Sequence, residues 1–188
     1  MPTGYQIKDQ SAAYYVTFQI VFWIDIFSYK KYRDIIIESL KYCQQDKGLE
    51  IFAWVIMSNH IHLLARSSED NLSGTIRDFK KFTSKALIEL ISTSGDSRKE
   101  WMLRLFRHAA KRQNKTGNFQ VWTHENHAIE VYGNSFIQLK VDYIHNNPVR
   151  AGIVGRAEDY KYSSACVYAD QEGLLEIIPV GSTWRTIK

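Results

Sequence analysis

Residues 49–64 have the sequence LEIFAWVIMSNHIHLL, and this stretch decides the fold of the chain. The nearly continuous apolar run over residues 49–57 is typical of a central strand that is buried on both faces. Ser58 and Asn59 are turn residues, and residues 60–66 have the composition of a second strand. The stretch therefore predicts two adjacent antiparallel strands that are joined by a tight turn.

The second of these strands carries two histidines, His60 and His62. Side chains alternate between the faces of a strand, so both imidazoles point the same way while Ile61 points into the opposite layer. Two residues along a strand are about 6.5 to 7 Å apart. Two imidazoles that lean together from that spacing can share one metal ion. The alternative is a half-exposed strand with two surface histidines, although Leu63 and Leu64 continue as core residues.

The rest of the chain alternates between helical and strand periodicity. The remaining predicted elements are a strand over residues 13–24, helices over residues 31–46 and 71–91, a polar loop over residues 92–97, a basic helix over residues 101–113, a strand over residues 120–131 and a helix over residues 135–145. Strands joined by hairpins, with helices packed on one face, predict an α+β sandwich.

Composition indicates one globular domain. The chain has 188 residues, of which 45% are hydrophobic, and only two cysteines, Cys43 and Cys166. The longest apolar run, residues 51–57, is too short to cross a bilayer, and the polar first ten residues lack the apolar core of a signal peptide. We therefore expect a reduced, cytoplasmic setting without membrane contact. Residues 1–170 are expected to form the domain and residues 171–188 a C-terminal tail.

Positive charge is concentrated in two places, although the net charge is only +4. A local positive surface is what phosphate binding requires, but a basic helix face is often only solvated, so both interpretations stay open. The candidates for contact with nucleic-acid phosphates are Arg77, Lys81 and Lys85 on one helix, and Arg104, Arg107, Lys111 and Lys115 on or after the next.

A second informative motif is YIHNNPVRAG at residues 143–152, which follows an amphipathic segment. A tyrosine near a metal pair in a basic, aromatic-rich chain suggests covalent attack on a phosphodiester. Tyr143 and Asn147 are four residues apart and share a helix face if the helix persists. Pro148 disfavours helical geometry at Asn147, which predicts that Asn147 lies at a frayed end. The alternative makes Tyr143 a core aromatic residue with its hydroxyl at the surface.

Together these motifs resemble the single-tyrosine HUH transposases, and especially their REP-associated branch. The segments that carry the resemblance are MSNHIHLL at residues 57–64, YIHNNPVRAG at residues 143–152, DYKYSSA at residues 159–165, Phe27, and IRDFKK at residues 76–81. The resemblance covers roughly residues 12–170, and the two boxes in this order are specific to the family.

The resemblance implies a ferredoxin-like, RNA-recognition-type antiparallel sheet with helices on one face. It implies that Tyr143 is the nucleophile and that His60, His62 and Asn147 hold the metal. The expected substrate is single-stranded DNA beside a hairpin formed by a repeat sequence. Cleavage would leave a 5′-phosphotyrosyl intermediate and a free 3′-hydroxyl, as in transposition by DNA nicking and rejoining. The chain would act as a monomer or a homodimer.

Nitrogen and oxygen ligands with phosphate oxygens suit Mg²⁺ or Mn²⁺, and the imidazoles favour Mn²⁺. Two other functions stay open from the sequence. One is a catalytically silent DNA-binding regulator on the same fold, and the other is a plain single-stranded nucleic-acid-binding module whose histidines are incidental.

Overall fold

The apolar run and the histidine segment form the two central strands of the fold. In the computed structural model, which describes residues 6–112 and 118–181, they are β2 (Leu49–Ile56) and β3 (His60–Ser67). β1 (Tyr14–Gln19) pairs with the other edge of β3, and the short β4 (Ile129–Glu130) pairs with β1. All pairings are antiparallel, and within the described residues the sheet has the order β2-β3-β1-β4. The predicted ferredoxin-like α+β fold is confirmed.

In the part of the chain that the structure describes, four long helices pack around the sheet. They are α1 (Lys30–Asp46), α2 (Leu72–Thr93), α3 (Lys99–Arg112) and α4 (Asn134–Arg150), and one helical turn, α5 (Ala165–Tyr168), follows near the end. Their apolar stripes recur at helical spacing and are buried, which is why these segments pack as helices. Within the described residues, no helix is both long and apolar enough to span a membrane.

The two faces of the sheet have different neighbours. Phe18 of β1 lies on the same face as its register partner Ile61. The Phe18 ring packs on Phe79 of α2, with 5.4 Å between the ring centroids, and on Trp122 at 6.2 Å. α1 packs against α2 on this side, whereas α4 contacts β2 and β3 and meets the face that carries the histidines. The helices therefore cover both faces of the sheet, and not one face as predicted.

The strand predicted over residues 120–131 is wrong for most of its length. The segment runs beside β1, because Thr123 N–H donates to the Gln19 carbonyl and Thr17 N–H donates to the Asn126 carbonyl, both at 2.8 Å. Between these bonds the polar sequence forms a loop, and His127 has a left-handed backbone with φ of 42°. That conformation interrupts the pleat, so regular pairing resumes only at β4.

The last long helix extends further than predicted. α4 continues to Arg150 with Pro148 inside it, so the expectation that Asn147 lies at a frayed end is wrong. Pro148 lies in the last turn and is buried, and only the bond to the carbonyl four residues back is lost. Gly152, with φ of 71°, ends the helix.

The segment at residues 171–181 lies along the free edge of β2. Ile178 N–H donates to the Ile51 carbonyl at 3.0 Å, and Val180 N–H donates to the Tyr168 hydroxyl at 3.1 Å. Leu175 and Val180 are buried there. The edge of β2 is therefore covered, which protects its backbone groups from pairing with another chain.

Candidate active site

The two histidines lie together on one face of β3. The centroids of the His60 and His62 rings are 4.7 Å apart, and the rings are nearly perpendicular. His62 is only 5% exposed and lies opposite Thr17 of β1 and Val55 of β2. The alternation predicted for this strand thus brings two imidazoles within reach of a common ligand.

Two hydroxyl groups of β1 orient the imidazole of His62. Nδ1 of His62 lies 2.7 Å from the Tyr15 hydroxyl and 2.9 Å from the Thr17 hydroxyl. The Tyr15 ring also stacks on the imidazole, with centroids 5.5 Å apart. A hydroxyl can accept a hydrogen bond from Nδ1–H, and that tautomer leaves the lone pair of Nε2 for a metal.

The imidazole of His60 is oriented from the turn that precedes it. Nδ1 of His60 donates to the side-chain oxygen of Asn59 at 2.7 Å, which leaves Nε2 as the atom that can bind a metal. The Asn59 amide nitrogen donates in turn to the carbonyl of Trp23 at 3.3 Å. One turn residue thus connects this histidine to the segment after β1.

Both imidazoles are held in their neutral form. Burial lowers the pKa of His60, and burial together with the nearby His60 and Lys140 lowers the pKa of His62 to about 3. A neutral imidazole has the lone pair that metal binding needs. Burial also raises the pKa of the Tyr15 hydroxyl, which keeps that group protonated beside His62.

Tyr143 of α4 joins this cluster. Its ring centroid lies 5.4 Å from that of His62 and 6.1 Å from that of Tyr15. The Arg150 guanidinium lies 5.6 Å from the same ring. Tyr143 is 39% exposed, so the interpretation of this residue as a core aromatic is wrong. An exposed, hydroxyl-bearing side chain thus lies against His62 of the histidine pair.

Asn147 lies one turn further along α4. Its amide nitrogen donates to the Tyr143 carbonyl at 3.2 Å, and the amide oxygen takes no part in that bond. Among the described residues, no group of three or more His, Cys, Asp or Glu side chains could hold a metal ion. A metal at His60 and His62 would therefore need a further ligand of another kind, and an amide oxygen such as that of Asn147 is chemically suitable.

One serine hydroxyl fixes α4 against the sheet. The Ser164 hydroxyl accepts a hydrogen bond from Trp54 N–H of β2 at 2.9 Å and lies 2.8 Å from Nε2 of His145. Burial lowers the pKa of His145 to about 4, so this histidine is also neutral. The residue two positions after Tyr143 is thus tied to the strand beside the candidate metal ligands.

The predicted DNA-binding residues fall in two separate regions. Three of them lie exposed on the outer face of α3, namely Arg104, Arg107 and Lys111, opposite the buried Met102 and Phe106. Lys115 is outside the described residues. Arg77, Lys81 and Lys85 are exposed on α2, which packs on the other face of the sheet. Arg77 and Lys81 line a cavity of about 580 Å³ with the loop that follows α3.

Sequence reasoning missed three residues of this site, namely Tyr15, Thr17 and Asn59. Tyr15 and Thr17 are two positions apart on a strand, so their shared face could be predicted. Their register with His62 could not, because the pairing joins segments that are 45 or more residues apart. At Asn59 the sequence predicted only a turn, and not the side-chain hydrogen bonds to His60 and to the Trp23 carbonyl.

The fold and site define an α+β protein with two imidazoles and a tyrosine gathered on one face of a ferredoxin-like sheet. The family model described as "Transposase IS200 like" matches residues 13–101, just under half of the chain. Over those residues the chain is similar to the IS200-like transposases, and the resemblance inferred from the sequence is confirmed. None of the curated proteins compared with the chain matches it.

Solved structures that are similar to the chain include two transposase structures. One is a REP-associated tyrosine transposase bound to a REP hairpin, with 19% identity, full coverage of both chains and a TM-score of 0.57. The other is a putative transposase from Deinococcus radiodurans R1, with 16% identity, coverage of 78% of this chain and 97% of that one, and a TM-score of 0.42. The first likeness supports the fold. The family match supports a transposase at the coarse level, that is, an enzyme that cleaves and rejoins DNA.

Proposed function

We propose that the protein is a metal-dependent strand transferase for single-stranded DNA that acts beside hairpin-forming repeats. In this proposal Tyr143 is the nucleophile, and His60, His62 and Asn147 hold Mg²⁺ or Mn²⁺. The observation that carries the proposal is the contact of three rings on one sheet face, with His60 4.7 Å from His62 and Tyr143 5.4 Å from His62.

The donor set suits the proposed metal. Two neutral imidazoles with free Nε2 atoms and an amide oxygen leave room for phosphate oxygens, and the nitrogen ligands favour Mn²⁺ over Mg²⁺. When bound, the ion would neutralise charge on a nonbridging oxygen of the scissile phosphate. The imidazoles are kept in the orientation that ligation requires by hydrogen bonds to Nδ1 of each ring, which leave Nε2 for the metal. These bonds come from Tyr15, Thr17 and Asn59.

The step proposed for Tyr143 is an in-line displacement at phosphorus. Its hydroxyl oxygen loses a proton and bonds to the phosphorus, while the bond from phosphorus to the 3′ oxygen breaks. The 3′ oxygen takes up a proton and leaves as a hydroxyl. The phosphotyrosine keeps the energy of the original diester, because an aryl oxygen is a good leaving group. A 3′-hydroxyl on another strand can therefore reverse the step and complete the transfer without ATP.

The basic surfaces provide the proposed grip on the hairpin backbone. Arg104, Arg107 and Lys111 are exposed on α3, and exposed Arg and Lys side chains bind phosphates without reading sequence. The similar solved structure is that of a REP-associated transposase with a REP hairpin bound, which supports a hairpin as the ligand.

A covalent-adduct assay tests the proposal. The protein is incubated with Mn²⁺ and a hairpin oligonucleotide that carries a single-stranded extension and a label at its 5′ or its 3′ end, and the products are separated on a denaturing gel. We expect label to migrate with the protein only when it lies on the fragment joined through its 5′-phosphate. Tyr143→Phe should abolish the adduct, and Tyr132→Phe, which alters another exposed tyrosine, should retain it.

An adduct that persists in Tyr143→Phe would show that another residue is the nucleophile. Hairpin binding without any adduct from the unaltered protein would favour the catalytically silent regulator instead.

A further inference from the structure

Two aromatic side chains project into solvent directly after β1. The chain makes a 3-10 turn there (Val21–Trp23), in which Phe22 is 43% exposed and Trp23 is 64% exposed. Both have left-handed backbones, with φ of 55° and 57°. Residues with bulky side chains rarely adopt this conformation, and it costs free energy. Two adjacent strained residues that also expose large apolar rings indicate a binding role.

The turn is attached to the candidate metal ligands. Ile20 N–H donates to the Asn59 carbonyl at 2.9 Å, and the Asn59 side chain donates to the Trp23 carbonyl at 3.3 Å. The same Asn59 side chain accepts the bond from His60, and the rings of Trp23 and His60 lie 6.5 Å apart. Trp23 is therefore fixed next to the place where the scissile phosphate is proposed to bind.

On its other side the turn meets the basic helix. The Phe22 ring lies 5.9 Å from the ring of His108 on α3. A cavity of about 330 Å³ beside Phe22 is lined in part by Arg112 and His124. The two exposed rings thus lie between the histidine pair and a positively charged surface.

We propose that Trp23 and Phe22 form a stacking platform for unpaired nucleobases of single-stranded DNA. The bases next to the scissile phosphate would lie on the two rings while their phosphates run toward α3. The positive surface on one side and the candidate phosphate site on the other indicate a nucleic acid as the occupant, since aromatic rings beside basic residues are how proteins hold single strands. The inference rests on the proposed function for the position of the scissile phosphate.

Binding measurements test the platform without any chemistry. Trp23→Ala and a matched control, Phe82→Ala, are made in the Tyr143→Phe background of the full chain. Phe82 is 61% exposed on α2, on the opposite side of the sheet. Affinity is measured in EDTA for a hairpin with a 5′ extension, for one with a 3′ extension, and for the blunt hairpin. We expect Trp23→Ala to weaken binding of one of the two extended hairpins, namely the one whose unpaired bases stack on Trp23. The expected loss is about 5- to 150-fold, which corresponds to loss of one stacked base.

The parent protein for this comparison is Tyr143→Phe. The blunt hairpin should bind equally well to this parent and to both variants. Phe82→Ala should bind all three hairpins with the affinity of the parent. Trp23→Phe should restore most of the affinity, because it keeps an aromatic face. 2-Aminopurine placed at the unpaired positions should be quenched by the parent and by Trp23→Phe, and should stay bright with Trp23→Ala.

Equal affinity of Trp23→Ala and the parent for both extended hairpins would overturn the platform, and so would an equal loss on the blunt hairpin. This outcome is independent of the adduct assay. A protein that forms no adduct can still show the Trp23 effect, in which case the proposed function fails and the platform stands. If the protein forms the adduct and Trp23→Ala does not weaken binding, the proposed function stands and the platform fails.

Discussion

The two faces of β3 differ in their chemistry, since one is apolar and the other is polar. Ile61 and Leu63 point into an apolar layer, in which Phe18, Phe79 and Trp122 pack ring against ring. His60 and His62 point the other way into a layer of hydroxyls, imidazoles and the Tyr143 ring. A strand with a period of two can thus serve the core with one set of residues and chemistry with the other.

The two layers are stabilised by different physical terms. On the apolar face, burial of each large side chain contributes about 1.5–3 kcal/mol. On the polar face, burial of two imidazoles is unfavourable unless their nitrogens are bonded, and Tyr15, Thr17 and Asn59 supply those bonds. We therefore expect substitutions on the two faces to separate stability from activity.

The largest effect is expected from the histidines themselves. His60→Ala or His62→Ala should make covalent-adduct formation undetectable, because each removes a proposed metal ligand, while hairpin affinity stays within a few-fold. Asn147→Ala should be milder, since water can replace an amide oxygen. The expected separation of activity from DNA binding would be contradicted if hairpin affinity, measured by gel shift, fell together with cleavage. The variant must be shown to be folded by circular dichroism.

A core substitution on the opposite face should lower the stability of the protein and leave its activity unchanged. Phe79→Ala removes a ring that is packed between Phe18 and Trp122, and we expect the free energy of unfolding to fall by about 3–5 kcal/mol. Phe82→Ala, on the exposed side of the same helix, should change it by less than about 0.5 kcal/mol. Urea denaturation measures both, and adduct formation per folded molecule should stay normal in each. Loss of activity in folded Phe79→Ala protein would show that the two faces are coupled.

A smaller, more selective effect is expected at Thr17. Thr17→Val keeps the shape of the side chain but removes the hydroxyl beside Nδ1 of His62. Loss of an interaction that orients a metal ligand typically costs about 10- to 100-fold in metal affinity or activity. The measurement is the Mn²⁺ concentration that gives half-maximal adduct formation. Thr17→Ser keeps the hydroxyl and should need the same Mn²⁺ concentration as the unaltered protein. If the serine variant shows the defect of the valine variant, packing is responsible and not the hydroxyl.

The smallest effect concerns the α3 surface, which belongs to neither face. Replacing Arg104 and Lys111 with Gln should lower the slope of log affinity against log salt by about one to two units, if each makes one phosphate contact. The matched control replaces Lys30 and Lys41 of α1, where each lysine is paired with an acid. It removes the same charge and should leave the slope unchanged. An unchanged slope in the α3 variant would mean that this face is merely solvated.

Local sequence patterns were enough for the central hairpin and for the gathering of the histidines. The period of two placed His60 and His62 together, and helical spacing placed Tyr143 on an amphipathic helix. Contacts between distant strands were not predictable in this way, because nothing in the local pattern gives the register between Thr17 and His62. The same limitation explains the strand wrongly predicted over residues 120–131, where pairing with β1 is split by a polar loop.

The contact between Tyr143 and His62 within a single chain has a kinetic consequence. The Ser164 hydroxyl joins β2 to His145, so the helix that carries Tyr143 is fixed against the strands of its own molecule. If Tyr143 attacks from this position, every protein group that the reaction needs belongs to one copy. Bound DNA should then react at a rate that is first order in the complex and does not change on dilution, because dilution lowers only the frequency with which protein and DNA meet.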